Sequence, residues 1–79
     1  MNIYLLEQYD NTSYDTYDSM VVYANSKDEA RQILPSEFAK FDYGSSWAHC
    51  PENVIVTKIG TALPGIDVSG IILTSFNAG

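Results

Sequence analysis

The sequence predicts a small α+β domain: a four-stranded antiparallel or mixed sheet with one helix packed on one face, in the order β–β–α–β–β. Three features point there. Four short runs are rich in β-branched and aromatic residues and read as strands. A single capping box opens a short helical stretch. The chain has 79 residues, below the roughly 100–150 of a typical domain, so residues 1–79 are expected to form one unit with a modest core.

The first strand is read over residues 2–8, around Ile3-Tyr4-Leu5-Leu6. The polar stretch Tyr9 to Tyr17 reads as a loop, because Asp and Asn side chains hydrogen-bond nearby backbone and favour turns. The second strand is read from Asp18 to Ala24, around Met20-Val21-Val22-Tyr23, antiparallel to the first. Ser26-Lys27-Asp28-Glu29 is the capping box: the Ser26 hydroxyl accepts from the Glu29 amide and the Glu29 carboxylate reaches back to the Ser26 amide. Ala30, Ile33 and Leu34 then share one helical face, and Pro35 cannot continue the ladder. The helix is therefore expected over 27–34, with Phe38 and Phe41 on one further apolar turn. Gly44, the neighbouring serines and Pro51 make 42–52 a loop. Val54 to Ile59 is the third strand. Ala62-Leu63-Pro64-Gly65 is a turn of type II chemistry, with Pro then Gly at its centre. Gly70 to Phe76 is the fourth strand, and 77–79 are a tail.

Composition excludes several function classes. The net charge is −6, with four Lys and Arg in all, too few for direct charge-driven nucleic-acid binding. The single cysteine, Cys50, cannot build a disulfide framework. There is no Gly-rich phosphate cradle and no calcium-loop spacing. The start of the chain has neither the basic segment nor the apolar core of a signal peptide. No apolar run approaches the ~20 residues of a membrane span. A cytoplasmic protein is expected, with no membrane association and no cofactor.

Two segments are candidates for function. The first is Tyr9 to Ser19, with three Tyr, three Asp and four hydroxyl side chains. Tyr offers rigid amphipathic contact area at low entropy cost, which suits recognition. Within it, Tyr14, Asp15, Thr16, Tyr17, Asp18 and Ser19 are the candidate binding residues, the alternative being a plain solvated loop. Asp15 and Asp18 have the chemistry of an acid–base pair, but so small a chain has little room for the pocket that pairing needs. The second candidate is the segment holding Trp47, His49 and Cys50. Trp47 either stacks on a planar ligand or plugs the core. His49 and Cys50 lack a third orienting residue for nucleophilic catalysis and lack the further ligands of a zinc site. Lys27 and Arg31, four apart on one helix face, either hold a phosphate or are solvated. The expectation is a protein that binds rather than an enzyme.

Several motifs together resemble a group of small uncharacterised proteins of tailed bacteriophages and their prophages. They are the opening Ile3-Tyr4-Leu5-Leu6, the run Tyr14-Asp15-Thr16-Tyr17-Asp18-Ser19-Met20-Val21-Val22, and the helix start Asp28 to Arg31. Trp47 ahead of Pro51-Glu52 and the ending Ser75-Phe76-Asn77-Ala78-Gly79 complete the set. That group carries no assigned activity, so the resemblance transfers no site residue. It implies a setting, a phage-encoded accessory protein in the cytoplasm of the infected host cell. Three functions fit that setting. One is a counter-defence inhibitor, anti-CRISPR-like, whose acidic surface imitates a phosphate backbone on a host defence protein. Another is a sponge for a small signalling nucleotide of a host anti-phage pathway, with Tyr and Trp stacking on bases. The third is a structural or housekeeping phage protein. A homodimer is also expected, because a four-stranded sheet has two edges and a small core gains from association.

Overall fold

The computed structural model describes residues 1–78. Its elements are β1 (Asn2–Glu7), β2 (Thr16–Ala24), α1 (Lys27–Arg31), a 3-10 turn (Pro51–Asn53), β3 (Ile55–Thr61) and β4 (Gly70–Asn77). The class is α+β. The four strands form one antiparallel sheet in the order β3-β1-β2-β4.

Period-two alternation along the two central strands sorts their side chains. Tyr4 and Leu6 of β1, and Met20, Val22 and Ala24 of β2, are buried. Their neighbours Ile3, Leu5, Val21 and Tyr23 lie on the other face and are half-buried. The register sets Leu5 opposite Val21 and Leu6 opposite Met20, so the two buried sets coincide. Against that buried face pack Ala30, Ala39, Trp47, Ala48 and Val54, with Ile33, Leu34, Phe41 and Val56 around them. The core is thus made by two central strands, one turn and a half of helix, and irregular chain from 33 to 54.

The helix is shorter than the expected 27–34. Ser26 caps it: its Oγ accepts from the Glu29 amide at 3.1 Å. The Glu29 carboxylate does not return to Ser26; it accepts from the backbone and side-chain N–H groups of Asn25, both at 3.3 Å. At the other end the ladder tightens, with Gln32 N–H donating to Glu29 O and Ile33 N–H to Ala30 O. Pro35 then disfavours helical backbone at Leu34. Ile33 and Leu34 still reach the core from non-helical chain. The expected extra turn is also absent: Phe38 is exposed, and Ala39 and Phe41 pack instead. Ser26→Ala should cost about 0.5–2 kcal/mol, or several degrees of melting temperature in a domain this small. A circular dichroism melt superimposable on the parent would show that the cap is dispensable.

Strand limits also shift. β2 starts at Thr16 rather than Asp18, because Thr16 and Tyr17 pair with Asn77 and Phe76 of β4. β1 ends at Glu7, β3 runs Ile55–Thr61, and β4 continues to Asn77. The Pro-Gly turn forms as expected: Gly65 has φ 100° and Ile66 N–H donates to Leu63 O at 3.4 Å. It does not make a hairpin, since β3 and β4 occupy opposite edges. Among the described residues, no helix is long and apolar enough to cross a membrane.

Candidate functional site

The strand topology gathers the ends of all four strands with the Tyr9–Asp15 loop. The C-terminal ends of β1 and β4 and the N-terminal ends of β2 and β3 meet there. The loop is held from below by Gln8, which is buried. Its Nε2 donates to Asn11 O at 2.6 Å and Tyr17 O at 2.7 Å, and its Oε1 accepts from Asp10 N at 2.9 Å and Asn11 N at 3.0 Å. One amide side chain therefore serves four backbone groups that a solvated loop would have left to water. Asn11 Nδ2 donates to Trp47 O at 2.5 Å and ties the loop to the core segment.

The predicted residues Tyr14 to Ser19 do not form one surface. Tyr14 and Asp15 are exposed. Asp15 has φ 62°, a left-handed conformation that Asp tolerates better than most residues. Its amide donates to Asn77 O at 2.5 Å. Thr16 is buried, and its hydroxyl donates to Ser13 O at 2.6 Å. Tyr17 is half-buried, with its ring tilted on Phe76 at a centroid distance of 4.8 Å and its amide donating to Ser46 O. Asp18 accepts from Asn77 Nδ2 at 2.5 Å, and Ser19 pairs with Glu7 and Ser75 across the sheet. Thr16 thus serves the fold, which corrects its reading as a contact residue, while Tyr17 keeps part of its surface open beside Phe76. Trp47 is corrected too: it is wholly buried, so its ring is not open to a planar ligand.

Between the loop and the end of β4 lies an open groove of about 420 Å³, lined by Thr12, Ser13, Tyr14, Asn77 and Ala78. Of these, Tyr14 is a candidate binding residue and Thr12 and Ser13 fall within the candidate segment, whereas Asn77 and Ala78 were not expected. Asn77 looked like tail sequence, and its place in β4 depends on pairing with Thr16, more than sixty positions away along the chain.

The other side of the same end is built on Asp10. Its Oδ2 accepts from His49 N and from Asn53 Nδ2, each at 2.9 Å. The His49 amide first, and Asn53 second, hold the Asp10 carboxyl below its ordinary value. The His49 ring nitrogen Nδ1 stands 3.9 Å from the same oxygen, too far for a hydrogen bond. The His49 ring packs instead on Tyr43, centroids 4.2 Å apart. Cys50 is half-buried at the start of the 3-10 turn. Glu52 is held below its ordinary value by its own backbone amide and by the Cys50 thiol. Among the described residues, no three His, Cys, Asp or Glu side chains converge on a metal site.

The electrostatics of this end are one-sided. Glu7, Asp10, Asp15 and Asp18 all belong to it by their place on the strand ends or their bonds to them. Arg31 is spent internally, donating to the carbonyls of Pro51 and Val54. It is therefore not free to join Lys27 around a phosphate. Three tyrosines project from the same end: Tyr9, Tyr14 and Tyr43 are 70%, 77% and 81% exposed. Tyr9 opens the candidate segment, though it is not among the candidate binding residues; Tyr43 was passed over in the sequence, because nothing local separates an exposed tyrosine from a core one. Comparisons with protein-family models, with curated proteins and with solved structures match nothing to this chain.

Proposed function

We propose that this chain is a non-enzymatic binding protein whose acidic, tyrosine-bearing end docks on a basic surface of a host defence protein and inhibits it, in the manner of anti-CRISPR proteins. The observation that carries this reading is the joint exposure of Tyr9, Tyr14 and Tyr43 among carboxylates at one end of the sheet. Exposed tyrosine faces take Arg and Lys by cation–π contact, and the carboxylates steer and pair with them. Gln8, Asn11 and Asp10 hold the loop in place beforehand, so little ordering entropy is lost on docking. The phage setting, and with it the host cytoplasm as the place of action, comes from the likeness of the Tyr14–Val22 and Ser75–Gly79 motifs.

A second reading rests on the groove. Its volume of about 420 Å³ falls within the range of small-molecule sites, and hydroxyl and amide groups beside Tyr14 suit a base and sugar. Asp15 and Asp18 flank it, which opposes the phosphates of a nucleotide. The inhibitor reading is therefore preferred, with a structural role as the third outcome.

Native mass spectrometry of the chain purified from its bacterial host tests all three. Capture of a defence protein supports inhibition when the purified partner rebinds and affinity falls with added salt. The double variant Tyr14→Ala, Asp15→Asn should then weaken binding by at least ~10-fold, since an aromatic anchor and a charge pair each supply 1 kcal/mol or more. Its melting temperature should stay within a few degrees, because both side chains are exposed. A co-purified nucleotide would replace this reading with the second, and full binding by the double variant would move the site elsewhere.

A further inference from the structure

We propose that a second copy of this chain docks along the free edge of β4, pairing β4 with itself antiparallel so that two four-stranded sheets join into one. β4 has a strand neighbour on one side only, because the strand order places it at the margin. Such an edge is a row of backbone donors and acceptors that templates pairing unless something blunts it. The two edges of this sheet differ in that respect. β3 carries Lys58 in its middle, and an edge lysine opposes pairing. β4 has no charged residue and no proline over its eight positions. Its pairing with β2 has two register shifts: Val21 pairs with Leu73 and Val22 with Ile71, leaving Ile72 extra on β4, and Tyr17 pairs with Phe76 and Ser19 with Ser75, leaving Asp18 extra on β2.

The side chains of β4 are as open as its backbone edge. Ile71, Ile72, Leu73 and Phe76 are 42%, 43%, 66% and 47% exposed. Ile71 pairs with core-facing Val22 and Leu73 with Val21 of the opposite face, so β4 lacks cover on both sides of the sheet. A strand laid beside it covers both at once.

Charge leaves this edge open to a second copy. On a chain of net charge −6, most ways of placing two copies together bring like charges close. Self-pairing of β4 sets no charged residue opposite another, and a two-fold contact uses the same patch on both chains and closes on itself. Eight residues make an edge about 26 Å long. With its flanking side chains it covers on the order of 600 Å² per partner, the lower end of specific interfaces. The dimer is therefore a reversible one. Pairing over the whole strand sets Asn77 opposite Gly70 of the partner subunit, so the groove beside Asn77 gains a wall from the second copy.

Sedimentation velocity on the full chain, from about 1 μM to about 500 μM, covers the concentrations at which an interface of this size dissociates. The expected result is a shift from monomer to dimer, accompanied by slower hydrogen exchange in β4 amides and unchanged exchange in β3 amides. Leu73→Lys replaces an exposed side chain, so it should fold, and it should weaken the dimer at least ~10-fold by placing like charges near the two-fold axis. The exchange pattern of the unaltered chain decides the matter without any variant. A monomer at the highest concentration overturns the proposal. So does a dimer that protects β3 rather than β4 and ignores Leu73→Lys.

Discussion

Trp47→Ala should be the most destabilising single substitution in this chain. Trp47 is the largest wholly buried side chain, set among Leu6, Met20 and Val22 beneath the sheet. Truncating a buried aromatic to alanine costs about 3–5 kcal/mol, the transfer term plus the cavity left behind. A domain of 79 residues has a total stability on the order of 4–12 kcal/mol, so that loss takes a large part of it. At roughly 4–8 °C per kcal/mol, the melting temperature should fall by more than about 12 °C. Trp47→Phe separates packing from chemistry. It keeps most of the apolar volume and removes an indole N–H that has no acceptor among the described residues. An unpaired buried donor costs about 1–3 kcal/mol, so the phenylalanine variant should melt far closer to the parent than the alanine one. Far-ultraviolet circular dichroism melts of the three proteins make the comparison. An alanine variant melting within a few degrees of the parent would show that the core closes without Trp47.

Gln8→Leu should be the second most damaging change, although it adds apolar volume to a buried position. The substitution leaves Asp10 N–H, Asn11 N–H, Asn11 O and Tyr17 O without their present partner. Loss of hydrogen bonding at buried backbone costs about 1–3 kcal/mol per group. Part of that is recovered as the loop opens to water, so a net loss of about 2–4 kcal/mol is expected. The damage should be local in character. Amide hydrogen exchange should speed up at Asp10 and Asn11 well before the β1–β2 ladder between Leu5 and Val21 is affected. Binding should fall as well, since Tyr9 and Tyr14 flank the loop that Gln8 holds. Unchanged exchange at Asp10 and Asn11 would show that the loop is held by Asn11 and Asp10 alone.

Much of the secondary structure was legible in the chain because its causes are local. Ser26 and Glu29 are three residues apart, and the Ser26 half of the expected box forms, while the Glu29 carboxylate turns to Asn25 instead. Pro64 and Gly65 specify a type II turn by their own backbone preferences. The β-branched runs at 20–22, 54–59 and 71–73 lie within strands but for Val54, one residue ahead of β3. With the apolar run at 3–6 that becomes β1, the α+β class, one helix and four strands follow from these local signals. The composition likewise carried the acidity that dominates the candidate site.

What the tertiary structure decided depends on residues far apart in sequence. Nothing near Asn77 indicates that it pairs with Thr16, yet that pairing extends β2, places Thr16 and Tyr17 in the fold, and forms one wall of the groove. Nothing near Trp47 tells a core plug from a stacking platform; the sheet face that receives it comes from β1 and β2. Gln8 looked like the last residue of a strand, and only the return of Asn11 and Tyr17 around it turns its amide into a fastener. The strand order, with β3 and β4 at opposite edges, left β4 open and gathered Tyr9, Tyr14 and Tyr43 at one end. The physical reason is common to all four. Capping and turn preferences act over three or four residues, whereas burial and register are settled only when distant segments compete for the same small core.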